Sequence, residues 1–117
     1  MDDLESKIRK YSAANPNVRL KISRRSSSDD YSARDINVET ENASDSIKYH
    51  LVLYDFNRAT KLDLEEIYDE THHKGGNDIN DPAVAKLYAG FEEKFLSKLE
   101  KDQNIKLKSG LFNSKWW

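Results

Sequence analysis

The chain has 117 residues, of which 37% are hydrophobic and 34% charged, and its formal net charge is −2 at pH 7. This length suffices for one domain with its own core, and the absence of cysteine excludes disulfides and thiolate metal sites. No stretch approaches the roughly 20 apolar residues of a membrane-spanning helix, and the N-terminus lacks a signal-peptide pattern. We therefore expect a single cytoplasmic domain over residues 1–117, with residues 109–117 as an aromatic tail.

The first predicted element is a helix in the segment DDLESKIRKYSAANPN, which begins at Asp2. Its acidic residues precede its basic ones, an order that complements the helix dipole. Leu4, Ile8 and Tyr11 form an apolar stripe with helical spacing. Pro16 ends the helix because the residue before a proline is disfavoured in the α region.

Three segments in which apolar residues recur at every second position follow, and each predicts a strand. They cover residues 17–25, 34–41 and 46–56. The third segment is apolar on one face and carries Val52 and Tyr54 on the other, so we expect it to lie centrally or to be covered on both faces. Short connections between successive strands predict an antiparallel meander.

Two helices are predicted after the strands. In TKLDLEEIYDETHHKGG, Thr60 is a candidate N-cap and the glycine pair is a stop. Leu64, Ile67 and Tyr68 give an apolar stripe with helical spacing. In the last helix, Asp81 is a candidate N-cap and Pro82 fits the first turn. Apolar residues continue at helical spacing: Val84, Leu87, Tyr88, Phe91, Phe95 and Leu99.

Gly90 interrupts this last helix at a cost of about 1 kcal/mol relative to alanine, and a close contact with a neighbouring element would explain it. The segment IKLK, residues 105–108, is a candidate for a short final strand. The prediction is an α+β fold of order α-β-β-β-α-α, with helices packed on an antiparallel sheet of three or four strands.

Catalytic chemistry finds little support in the sequence. The spacing of Glu70 and His73 matches that of carboxylate-bridged metal sites, but the chain has no second copy of the motif. His50 has no candidate nucleophile as a partner, and no glycine-rich phosphate loop is present. We predict no catalytic residues, no metal site and no cofactor. A metal-dependent enzyme built on His72 and His73 is the least favoured alternative.

The first strand is basic. Its alternation places Arg19, Lys21 and Arg25 on one face, with Arg24 at the strand's end, an arrangement that could contact nucleic-acid phosphates. The α-β-β-β-α order resembles that of double-stranded-RNA-binding domains. That family opens its last helix with lysines, however, and the corresponding segment here reads LDLEEIYDE, which excludes the family.

The second predicted helix is strongly acidic and is a candidate partner-binding surface. A dense negative helix can act as a decoy for a basic groove, as in phage inhibitors that imitate DNA, and the order of elements resembles that of a small anti-CRISPR inhibitor in architecture alone. The candidate residues are Asp63, Glu65, Glu66, Asp69 and Glu70.

The tail is aromatic and has two interpretations. Leu111, Phe112, Trp116 and Trp117 could fold back over the second face of the sheet. Alternatively they protrude as a partner anchor, because tryptophan is enriched among residues that dominate binding energy.

The missing catalytic constellation, the uneven charge and the aromatic tail together favour a non-enzymatic protein-binding module. Residues 1–25 carry seven Lys or Arg and three acidic residues, whereas residues 26–74 carry five and twelve. We expect a small regulator or inhibitor, and the Lys-, Asn-, Asp- and Ser-rich composition suggests a bacterial or phage origin. Nucleic-acid binding through the first strand is the alternative function.

Overall fold

A computed structural model describes residues 2–28, 30–41, 46–57, 59–110 and 114–117. The elements follow one another as α1 (Asp2–Ala14), β1 (Val18–Ser27), β2 (Tyr31–Glu41), β3 (Ser46–Phe56), β4 (Ala59–Asp69), β5 (Lys74–Gly76), α2 (Pro82–Phe91), a π-helical turn (Glu92–Leu96), α3 (Ser97–Gln103), β6 (Lys108–Ser109) and β7 (Ser114–Trp116).

The α+β class and the antiparallel pairing are confirmed, but the sheet is larger than predicted. Within the described residues it has seven strands in the order β1-β2-β3-β4-β7-β6, and β5 also pairs with β4. The first three strands form the predicted meander, and β3 lies centrally, between β2 and β4.

The predicted helix over residues 60–74 is wrong, because this segment forms β4 and the start of β5. The error has a physical origin in a β-bulge. Leu64 pairs with Leu51 and Glu66 pairs with His50, so Glu65 is an extra residue opposite the partner strand. The bulge sets Leu64 and Ile67 three residues apart on the same face, and that spacing imitates a helical stripe.

The last helix begins as predicted. The Asp81 carboxylate accepts a hydrogen bond from the Ala83 backbone N–H at 2.9 Å, and Pro82 occupies the first turn. The explanation proposed for Gly90 is wrong, since a Cβ atom there would have no described neighbour within 4 Å. The strand proposed at residues 105–108 is also wrong for Ile105 and Leu107, which pack against the core outside any strand.

The core lies between the helices and one face of the sheet. Fully buried side chains of this face, such as Ile36, Leu51 and Ile67, pack with the apolar stripes of α1 and of α2 through α3. No described helix is long and apolar enough to cross a membrane.

Candidate protein-binding face

One face of the sheet has no helix over it among the described residues. All described helices contribute to the core on the side of Ile36, Leu51 and Leu64. The alternate positions of the strands therefore form a second surface, which we call the open face. Strand register places Lys21, Asn37, His50 and Glu66 in neighbouring positions on it.

The basic residues of β1 divide between the two faces. Arg19, Lys21 and Arg25 share the open face, as predicted, whereas Arg24 pairs with Arg34 on the helix side. Arg24 is not at the end of the strand, because β1 continues to Ser27. A bulge between Arg24 and Ser26 leaves Arg25 as the extra residue and turns it to the open face.

Carboxylates already neutralise two of these cations. Arg19 lies 2.6 Å from Glu41 and 3.7 Å from Glu39, both on β2. Arg25 lies 3.1 Å from Glu65. Within the described chain, Lys21 has no carboxylate at ion-pair distance. This part of the surface therefore presents mixed charges to a ligand.

The acidic residues do not form the helical surface that the sequence suggested, because β4 is a strand. Asp63, Glu65 and Glu66 belong to the open face. Asp69 is buried on the helix side, and Glu70 lies in the following turn, 2.8 Å from Lys48. The five carboxylates are thus divided between the two sides of the sheet, with Asp69 on the helix side and Glu70 paired with Lys48 of the open face.

Asp69 organises the turn that follows β4. Its carboxylate accepts hydrogen bonds from the backbone N–H groups of Thr71 and His72, and it lies 2.7 Å from the His72 ring. Burial raises the pKa of Asp69, but these hydrogen bonds outweigh burial and hold the pKa below its ordinary value. His72 and His73 lie in this turn instead of the predicted helix end.

A polar network crosses the open face and links four strands. The Arg25 guanidinium of β1 donates two hydrogen bonds to Glu65 of β4, at 3.1 and 3.3 Å. The Arg25 Nε also lies 3.3 Å from Asp35 of β2, and Asp35 lies 2.7 Å from the His50 Nε2 of β3. We call this network the clasp. It joins the two bulge residues, Arg25 and Glu65, although β2 and β3 separate their strands.

A fully buried apolar residue lies beside the clasp on a face that no described helix covers. Val52 has no solvent exposure, and strand register places it opposite Asp35 on one side and Asp63 on the other. The Arg25 guanidinium links Asp35 of β2 with Glu65 of β4, the two strands that flank β3.

On one side of the clasp lies a row of four aromatic rings, Tyr31, Tyr54, Phe56 and Trp116, which we call the aromatic row. Phe56 lies 5.8 Å from Tyr31, 6.0 Å from Tyr54 and 6.2 Å from Trp116, measured between ring centroids. Lys61 lies over the Tyr54 ring at 4.8 Å. All four rings are partly exposed.

The end of the chain joins the sheet as β7. Trp116 pairs with Lys61, and its indole fills the space that a side chain at Gly110 would need. Lys115 points to the helix side, where it lies 2.7 Å from Glu92. Trp117 is 37% exposed. The other two tail residues with a predicted role, Leu111 and Phe112, lie outside the described residues.

On the other side of the clasp lies a polar groove with a volume of about 550 Å³. Arg19, Lys21 and Lys48 supply cations to its walls, and Glu39 and Glu66 supply carboxylates. His50 lines the groove and also belongs to the clasp. No group of three or more His, Asp or Glu side chains among the described residues is arranged to hold a metal ion.

Comparison of the chain with protein-family models, curated proteins and solved structures gave no match. The observed order of elements also removes the basis of both architectural resemblances drawn from the sequence, because a fourth strand replaces the helix on which they depended.

Sequence reasoning missed the aromatic row and the clasp. Tyr31 lies outside the three predicted strands, although it begins β2, and Phe56 is the last residue of β3. Their proximity comes from strand register, which the sequence does not display. The clasp depends on two bulges, and no local sequence signal marked either of them.

Proposed function

We propose that this chain is a non-enzymatic protein-binding module, a small regulator or inhibitor whose partner docks on the open face. The observation that carries this proposal is the aromatic row, four partly exposed rings on a sheet face without a described helix over it. Aromatic side chains are enriched in protein interfaces and among the residues that dominate their energy. A clustered apolar patch with a charged surround is typical of such sites.

We further propose that the exposed Trp117, which follows β7, is an anchor for the partner. Its backbone N–H donates to the Thr60 carbonyl at 3.0 Å, so the last residue is tied to β4 while its side chain remains accessible. Binding through an anchored tryptophan costs less conformational entropy than binding through an unattached tail. This proposal combines the two interpretations of the tail: its backbone belongs to the sheet, and its last side chain contacts the partner.

Affinity capture from a lysate of the source organism tests the proposal. We expect the wild-type chain to retain a protein in stoichiometric amount, and the Tyr31→Ala/Trp117→Ala variant to bind that protein at least about 30-fold more weakly, as for residues worth 2 kcal/mol or more. Tyr88→Ala is the matched control, because Tyr88 lies on α2, on the helix side. Equal loss in the control, or no retained protein, contradicts the proposal.

Nucleic-acid binding through β1 is the alternative, favoured by Lys21 on the open face and Arg24 on the helix side of this edge strand, which have no carboxylate partner in the described part of the chain. In that case affinity capture would recover nucleic acid, and the affinity of the chain for this nucleic acid would fall steeply with salt. Replacement of both residues by glutamine would then abolish capture, whereas the Tyr31→Ala/Trp117→Ala variant would retain it.

A further inference from the structure

A second groove lies on the helix side of the molecule, away from the open face. It has a volume of about 560 Å³ and runs between α2 and the ends of β3 and β4. Partly buried Ile47 and Leu87 contribute apolar surface to it, together with Gly90. This volume falls within the range of about 300–1,000 Å³ that is usual for ligand sites.

Gly90 keeps this groove open. The backbone does not require glycine there, because Gly90 is not among the described residues with positive φ, and a Cβ atom would meet nothing within 4 Å. Packing does not require glycine either. A glycine inside a helix is less favourable than alanine, and in the described part of the structure its missing side chain leaves additional space in the groove.

The charges around the groove differ from those on the open face. Lys74, Lys86 and Lys94 line it, and within the described residues none of the three has a carboxylate at ion-pair distance. In contrast, Lys48 and Lys61 on the open face each lie within 3.2 Å of a carboxylate.

The groove contains two carboxylates of its own. Asp69 is already engaged by His72, and Glu93 is the second. Three cations around apolar surface therefore remain without a carboxylate partner in a chain whose net charge is −2. A ligand with apolar and acidic groups is the electrostatic complement of this groove.

From this we infer that the groove binds a segment of a partner protein that presents one large apolar side chain flanked by Asp or Glu residues. The apolar side chain occupies the space at Gly90, and the flanking carboxylates pair with Lys86 on α2, Lys94 in the π-helical turn and Lys74 on β5. The site is separate from the open face, so its test does not depend on the proposed function.

Selection from a library of random twelve-residue peptides, displayed on phage and panned against the immobilised full-length chain, tests this inference. We expect enriched peptides to share an apolar residue with acidic neighbours. A synthetic fluorescent copy of the most enriched peptide should bind Gly90→Leu at least about tenfold more weakly, because the leucine fills the groove. Ala85→Leu is the matched control: Ala85 is exposed on α2 and does not line the groove.

Charge reversal provides a second readout that does not depend on filling the groove. Lys86→Glu and Lys94→Glu should each weaken peptide binding several-fold, with circular dichroism unchanged, and raised salt should weaken binding to the wild type. Failure to enrich any peptide, basic instead of acidic flanks, or equal binding to Gly90→Leu would overturn the inference. Dodecyl phosphate, used below the concentration at which it forms micelles, is the competitor in a last measurement. If it binds saturably, displaces the selected peptide and has the higher affinity, the groove is a site for a small anionic amphiphile and the inference is overturned.

Discussion

Gly90 and Gly75 are two glycines whose surroundings predict opposite responses to the same substitution. Gly90 lies inside α2 with open space where a side chain would begin. Gly75 has a φ of +154°, and a Cβ atom there would collide with the backbone of Ile67 and Tyr68. Substitution of Gly90 therefore changes mainly the helix propensity, whereas the backbone conformation at Gly75 requires glycine.

We predict that Gly90→Ala raises the free energy of unfolding by about 0.5–1 kcal/mol, because alanine has a higher helix propensity and reduces the conformational entropy of the unfolded chain. Gly75→Ala should lower it by more than about 1 kcal/mol. Urea denaturation followed by circular dichroism measures both values. A destabilised Gly90→Ala variant would mean that the glycine has a structural role that its surroundings do not show.

At the scale of elements, the bulge in β4 determines which side chains of that strand face the core. Glu65 is inserted opposite β3, so Leu62 and Leu64 before it and Ile67 after it all face the core. Without the extra residue, alternation would turn Ile67 to the open face. Glu65 therefore stabilises the fold mainly because it adds one residue to the strand, and its side chain contributes less.

Deletion of Glu65 should thus destabilise the protein far more than Glu65→Ala. The deletion exposes fully buried Ile67 or forces a register shift, which should cost at least about 2–3 kcal/mol. Glu65→Ala keeps the residue count and removes one ion pair whose side chains are 36% and 37% exposed, so we expect a loss of about 1 kcal/mol or less. Thermal and urea denaturation of the two variants make the comparison, and similar losses would show that the bulge is dispensable.

The same bulge shows where sequence reasoning succeeds and where it fails. β1, β2 and β3 were predictable because their apolar residues alternate over the stretches that face the core. The helix after Asp81 was predictable because its cap and spacing agree. β4 was not, since a bulge converts alternation into helix-like spacing. β6 and β7 were missed because two- and three-residue strands carry no periodic signal.

The candidate site was predictable only as separate residues. The sequence identified Arg25 and Glu65 as members of a basic and an acidic segment, forty positions apart. It did not indicate that they bind each other, because that contact depends on the register of four strands. A charged segment read from a sequence as a binding surface can therefore be neutralised within the fold, as Arg19 and Arg25 are here.

At the scale of the whole molecule, the clasp divides the open face into the aromatic row and the polar groove. Arg25 and Glu65 connect β1 to β4 across two intervening strands, and a bulge at each end turns the two residues toward each other. Because the strand backbone orients both side chains, their hydrogen bonds require less ordering than those of an ordinary surface pair. The clasp should therefore contribute more to stability than a more exposed ion pair between neighbouring strands.

A double-mutant cycle with Arg25→Gln and Glu65→Gln measures this contribution. We predict a favourable coupling free energy at low salt that falls in 1 M NaCl, where the charges are screened. The Arg19 and Glu41 pair is the matched control, because it joins neighbouring strands and its side chains are 63% and 50% exposed, so its coupling should be near zero. If the two cycles give the same coupling, the clasp is an ordinary surface pair.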